Sequence, residues 1–90
     1  MPFEVRWLRS AERDLKKLDR PDRAKLVRHI APKLEDDPYN NGDGPTKELP
    51  GYFKIRYREW RAVYSIEDNV VTIALVGNRK DVYDRIRERF

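Results

Sequence analysis

Residues 52–64 read Tyr52-Phe53-Lys54-Ile55-Arg56-Tyr57-Arg58-Glu59-Trp60-Arg61-Ala62-Val63-Tyr64, or YFKIRYREWRAVY. Side chains on a β-strand alternate between two faces, so Phe53, Ile55 and Tyr57 share one face and Lys54, Arg56 and Arg58 share the other. The apolar set points into a core. A turn centred on Arg58-Glu59 folds the segment into a hairpin and sets Arg56 opposite Arg61. Like charges directly opposite each other on a sheet repel. A surface that keeps four cations within eight positions, with Tyr52 and Trp60 interleaved, is suited to an anion. A phosphate would relieve the repulsion through charge-assisted, often bidentate hydrogen bonds. The plainer reading is a set of solvated strand charges that blunt an edge against aggregation.

Reading outward, Val70-Val71-Thr72-Ile73-Ala74-Leu75-Val76 is apolar on both faces and suits a central strand. Glu67-Asp68-Asn69 is the turn before it. Strands are therefore predicted at about 52–58, 60–67 and 70–77. Near the N-terminus, Phe3, Val5 and Trp7 alternate with Glu4 and Arg6, a further half-buried strand. Ser10 offers an N-cap to a helix carrying Ala11, Leu15 and Leu18 and stopping near Asp19. Pro21 suits the first turn of a second helix, striped by Val27, Ile30, Ala31 and Leu34. Pro32 lies within that stripe and predicts a kink or an early end. Two short helices with almost no linker read as an antiparallel helical hairpin.

Residues 35–50 hold Asp36-Asp37-Pro38 and Asn40-Asn41-Gly42-Asp43-Gly44-Pro45, which is turn chemistry and reads as a surface loop. After Gly77, which permits a sharp exit from the strand, Val82, Tyr83, Ile86 and Phe90 are spaced for a short terminal helix or turn. Asp81 reads as its cap. The predicted order is β-α-α-β-β-β with a short C-terminal helix: an α+β domain with the helical hairpin on one face of a small, antiparallel-rich sheet. The other face is left free for function.

Ninety residues make one domain, 1–90. Twenty lysines and arginines against sixteen acids give a net charge of +4, a balance that favours polyanionic partners. Charged residues make up 40% of the chain, yet two tryptophans, five tyrosines and three phenylalanines argue against disorder. There is no cysteine, hence no disulfide frame and no thiolate chemistry. No apolar run is long enough to span a bilayer, and Met1-Pro2-Phe3-Glu4-Val5-Arg6 lacks the pattern of a secretory signal, so a cytoplasmic address is expected. The only histidine, His29, falls mid-helix beside Arg28 and reads as a surface residue. Glu67, Asp68, Asp81 and Asp84 fall at turns and helix starts and form no convincing metal cluster; neither metal nor cofactor is expected. Aromatics beside cations stack exposed RNA bases, a role open to Trp60, although Trp60 and Tyr64 fit a core equally well.

Three pieces of the chain together resemble the RelE toxins of bacterial toxin–antitoxin modules, within the wider RelE/ParE superfamily. They are Lys54-Ile55-Arg56, Trp60-Arg61-Ala62-Val63-Tyr64, and Val76-Gly77-Asn78-Arg79-Lys80-Asp81-Val82-Tyr83. The opening strand, the helix with Ala11, Leu15 and Leu18, and Leu34 with Pro38 extend the likeness over nearly the whole chain. The resemblance implies a toxin that cuts messenger RNA in the ribosomal A site without metal. In that chemistry the RNA's 2′-hydroxyl attacks the adjacent phosphorus and leaves a 2′,3′-cyclic phosphate. By motif position Lys54 matches a first catalytic lysine and Arg56 stands where many members carry a second. Arg61 matches the arginine credited with stabilising the phosphorane, Arg79 one proposed as general acid, and Tyr83 a tyrosine that orients or stacks on the substrate. Arg58, Trp60 and Lys80 are candidate RNA contacts. Two departures stand out: Arg56 keeps the charge of lysine but cannot act as a base, and Asn78 replaces a histidine or lysine.

The same resemblance implies a RelB-like antitoxin partner and a ribosome carrying A-site message. It admits a second function, a ParE-like toxin that binds and inhibits DNA gyrase without cutting anything, and a third, an RNA-binding domain with no catalysis. A shared fold does not separate these. A converging phosphate site favours the nuclease.

Overall fold

The computed structural model describes residues 2–90. Strand β1 (Glu4–Trp7) leads into helices α1 (Arg9–Lys16) and α2 (Arg20–Asp36). Strands β2 (Tyr52–Tyr57), β3 (Trp60–Glu67) and β4 (Val70–Asn78) follow, then helix α3 (Arg79–Arg89). The sheet order is β1-β4-β3-β2. β1 runs parallel to β4, and the remaining pairs are antiparallel. The α+β architecture is the one expected, and β4 is central, as its two-sided apolar run requires.

The core is split by the sheet. On one face Ala11, Leu18, Leu26, Ile30 and Leu34 from the α1–α2 side pack on Ile55, Ala62, Tyr64, Val71, Ile73 and Val76. On the other face Val82 and Ile86 of α3 cover Val63 and Leu75. The second face is therefore only partly free, a correction to the sequence reading: the spacing of Val82 and Ile86 is that of a helix with something to bury. α2 buries Leu26, Ile30 and Leu34, one residue per turn.

Ile73 and Leu75 ought to share a face by alternation, yet they serve opposite cores. A bulge explains this. Val63 pairs with Leu75 and Tyr64 with Ile73, leaving Ala74 without a cross-strand partner. The Ala74 carbonyl, out of the ladder, accepts hydrogen bonds from Ser10 Oγ at 3.0 Å and from the Arg89 guanidinium at 2.9 Å. Ser10 is thus committed to the bulge and does not cap α1. The helix begins at Arg9 with Leu8 at the N-cap and no side-chain cap, and it ends at Lys16, earlier than Asp19.

Other local expectations also shift. α2 continues through Pro32 to Asp36 without an early end. The cap of α3 is Asn78, whose Oδ1 accepts the Asp81 N–H at 2.9 Å, so Asp81 lies in the first turn. Gly77 does not turn the chain. It lies inside β4 opposite Arg61, and a side chain there would press on Val82 Cγ2 at 3.3 Å. Its role is to let α3 sit close to the sheet.

The 35–50 loop is more than surface. Pro38 and Thr46 are buried. The Asp43 and Thr46 N–H groups donate to the Lys54 and Tyr52 carbonyls (2.8 and 3.0 Å), and Lys54 N–H donates to the Gly44 carbonyl (3.0 Å). The loop thereby satisfies the open edge of β2. Gly42 is fixed by space: a Cβ there would overlap the Tyr64 hydroxyl. That hydroxyl is itself committed, donating to the Pro38 carbonyl at 2.7 Å.

Candidate functional site

The hairpin has the expected register. Arg56 is the cross-strand partner of Arg61, Lys54 lies opposite Val63, and Arg61 also neighbours Gly77 of β4. Because Val63 belongs to the α3-side core, alternation puts Lys54, Arg56 and Arg61 on the α3 face of the sheet. α3 starts beside them. The Arg79 N–H donates to the Glu59 carbonyl in the β2–β3 turn at 3.1 Å, which ties the helix start to the hairpin. Tyr83 follows Arg79 by four residues and so projects from the same side of the helix.

The result is one pocket of about 370 Å³. Lys54, Arg56, Arg61, Arg79 and Tyr83 line it together with Ile55 and Asp43. Five residues from three elements, named from sequence as one constellation, therefore surround one space. Among the described residues, no ion pair within 4.0 Å involves any of the four cations; the pairs present are Arg6–Glu4, Arg85–Asp14, Arg87–Asp84 and Arg89–Asp14. One Arg61 guanidinium nitrogen is buried with no hydrogen-bond partner. Desolvation of a charged donor without compensation is costly. An anion held in the pocket would offset part of that cost through its attraction to the delocalised guanidinium charge. The N-terminus of α3 adds its partial positive charge to the same side.

Arg58, Trp60 and Lys80 are not part of this pocket. Arg58 takes φ +56° in the turn, which breaks strand alternation, and its guanidinium lies 5.4 Å from the Tyr57 ring centroid. Trp60 pairs with Tyr57 and packs against the α1–α2 core, the sheet face opposite the cations. The two-residue turn between Tyr57 and Trp60 dictates this, because partners across a hairpin share a face. Lys80 is exposed on α3. His29 is half-buried and its ring centroid lies 4.6 Å from that of Tyr57, so it is not the free surface residue expected. Burial first, and the charge of Lys33 second, hold its imidazole below its ordinary pKa.

Asp43 was not singled out from the sequence. Its Oδ2 accepts the Arg56 N–H at 2.7 Å and it lines the pocket. Nothing in its turn-rich surroundings signals this, because only the loop's pairing with β2 brings it there. Its charge is felt nearby: burial, then Asp43 and Asp37, push the Tyr64 phenol up to about 12.

With the pocket defined, comparison with known proteins identifies its setting. Residues 5–83 match the model of the ParE toxin of the type II toxin–antitoxin system parDE. The chain belongs to this toxin family, within the RelE/ParE superfamily. It is 34% identical over 87 residues to Toxin RelG of Mycobacterium tuberculosis, covering 94% of this chain and all of the relative. The toxin–antitoxin complex RelBE2 of the same organism superposes with a TM-score of 0.78 at 33% identity, over 88% of this chain and 100% of the other. An arginine-substituted Escherichia coli RelE in the free state gives 0.76 at 23% identity, over 100% and 99% of the two chains, a likeness of fold. The chain is thus a type II toxin whose fold is RelE-like.

Proposed function

We propose that this toxin is a ribosome-dependent endoribonuclease that cleaves messenger RNA in the A site by attack of the RNA's own 2′-hydroxyl. The observation that carries this reading is the convergence of Lys54, Arg56, Arg61, Arg79 and Tyr83 on one pocket, with no ion pair to these cations among the described residues. Cleavage places extra negative charge on the phosphorane oxygens. Preorganised guanidinium groups aimed at that charge are the largest catalytic asset such a site offers. Arg56 and Arg61, fixed opposite each other by the hairpin, hold the non-bridging oxygens. Arg79 closes the pocket from α3, and Tyr83 orients the nucleotide. A guanidinium only donates hydrogen bonds, so proton transfer falls to other groups, Lys54 among them. The ribosome supplies alignment of the 2′-oxygen, phosphorus and leaving oxygen, an advantage that weak proton-transfer groups leave in demand.

A RelB-type antitoxin is the partner this reading requires, supported by the relatives described in complex with antitoxins. A ParE-type mode of action, binding DNA gyrase, is the second reading, favoured by the family model that matches residues 5–83. The two separate in one experiment. Purified toxin is added to ribosomes programmed with a defined message and the new 3′ ends are mapped. Cuts within the A-site codon, lost in Arg61→Ala and Lys54→Ala, are expected. Intact message together with blocked supercoiling by gyrase overturns the nuclease and selects the second reading.

A further inference from the structure

We propose that Asp14 is a positioning residue for the pocket: from the far flank of α3 it sets the roll of that helix and so aims Arg79 and Tyr83; this rests on the endonuclease reading above. β1 runs beside β4 only as far as Ile73, the partner of Trp7, while β4 continues to Asn78. Past that point the edge of β4 has no strand beside it, and buried backbone groups left unpaired are costly. Side chains of α1 and α3 take them instead. The Ala74 carbonyl is held by Ser10 and Arg89. The Val76 N–H donates to Asp14 Oδ2 at 2.9 Å, and the Val76 carbonyl accepts from Arg85 at 3.4 Å. Arg85 and Arg89 donate to Asp14 Oδ1 at 2.8 and 2.9 Å, and Arg89 also reaches Oδ2 at 3.1 Å. One buried carboxylate of α1 therefore fixes two arginines of α3 to the strand edge.

The consequence for the pocket follows from the helix itself. At about 100° per residue, α3 carries three neighbouring stripes: Arg85 with Arg89, then Val82 with Ile86, then Arg79 with Tyr83. The middle stripe lies on Val63 and Leu75, and the last lines the pocket. Val82 and Ile86 are the buried residues of the helix. Hydrophobic contact is non-directional, so two apolar side chains set the distance of α3 from the sheet and leave its roll soft. The Arg79 N–H bond to the Glu59 carbonyl pins where the helix starts, not the angle at which it lies. Charge-assisted hydrogen bonds to a fixed carboxylate are directional, and they act on the flank away from the pocket. A small roll there is amplified at the tip of Arg79, and a misplacement of about 1 Å costs about 100-fold in rate. Stability alone accounts for the arrangement less well. A buried ion pair is often no better than apolar side chains of the same volume, whereas an angle needs a directional contact.

Asp14→Asn tests this. The amide oxygen still accepts the Val76 N–H, while the charge that gathers Arg85 and Arg89 is gone. Well below the melting temperature and with toxin saturating, single-turnover cleavage of ribosome-bound message is expected to slow by about 30-fold or more, with the affinity for programmed ribosomes within about threefold of wild type. Misaimed groups lose rate and keep binding; a smaller folded fraction would lower the apparent affinity instead. In an Arg79→Ala background the same substitution is expected to cost less than about fivefold, because a group it aims is absent. The 15N resonance of the Arg79 guanidinium is expected to shift in folded Asp14→Asn toxin while those of Arg56 and Arg61 stay in place. Should Asp14→Asn not fold, Arg85→Gln replaces it, since Asp14 then keeps Arg89 and Val76, and the same loss of rate and the same dependence on Arg79 are expected. A rate within about threefold of wild type, an undiminished loss in the Arg79→Ala background, or an unmoved Arg79 resonance overturns the assignment and leaves the endonuclease intact. Failure of the wild-type toxin to cut overturns both.

Discussion

At the scale of single residues, the site is built at the expense of stability. Arg56 and Arg61 face each other with no ion pair to either among the described residues, and Arg61 keeps a buried nitrogen unsatisfied. Arg61→Met is therefore expected to stabilise the toxin by about 1 kcal/mol while lowering cleavage by about two to three orders of magnitude; thermal melting and single-turnover rates check the two halves. Tyr64 behaves in the opposite way. Its hydroxyl is buried on the Pro38 carbonyl, so Tyr64→Phe is expected to cost about 1–3 kcal/mol in denaturant melts, through an orphaned carbonyl. Its phenol, pushed up to about 12, is the group expected to be missing from the ultraviolet titration of that variant. Because the native phenol resists ionisation beyond its ordinary 10.0, this contribution is complete below about pH 10 and is lost as pH rises toward 12.

At the scale of elements, α3 is the piece that completes the pocket, and a buried acid holds it. Asp14 on α1 is 1% exposed. It accepts from the Val76 N–H at 2.9 Å, from Arg85 at 2.8 Å and from Arg89 at 2.9 Å. One carboxylate thus joins α1, β4 and α3. Asp14→Ala leaves two guanidinium groups without their partner and is expected to cost about 3–5 kcal/mol, with hydrogen-exchange protection falling first along α3. The elements themselves were readable from sequence. Alternation in Tyr52–Tyr57 and the two-sided apolar run of Val70–Val76 set the hairpin and the central strand. Asp14 carries a legible signal: an acid between Ala11 and Leu18 on the apolar face of a helix has to be paired to be tolerated. What alternation could not show was the Ala74 bulge, which reverses faces mid-strand and claims Ser10, or the loop pairing that brings in Asp43. Both depend on partners distant in the chain. Trp60 was ambiguous between stacking and packing, and the tight turn decided for packing.

At the scale of the whole molecule, four of the twenty lysines and arginines gather around one pocket. Four cations around one pocket, none of them ion-paired among the described residues, predict RNA affinity that falls steeply with salt. Replacing Arg56 by alanine is expected to lower the slope of log affinity against log salt by about one, measured by titrating a short RNA at several ionic strengths. Acid stability carries a smaller signature. His29 binds its proton less readily folded than unfolded, where 6.5 applies, so protonation favours the unfolded chain and stability declines as pH falls through that value. His29→Gln is expected to flatten the decline between pH 7 and 5 in thermal melts.

Attack of one phosphodiester by its own ribose inside this pocket is tested by replacing a single 2′-hydroxyl. A message carrying one deoxynucleotide at the mapped A-site cut is loaded on ribosomes beside the all-ribose message. The all-ribose message is expected to be cut to a 2′,3′-cyclic phosphate and the substituted one to survive at that bond. Cleavage at the deoxynucleotide, or no cleavage of either message, contradicts the account.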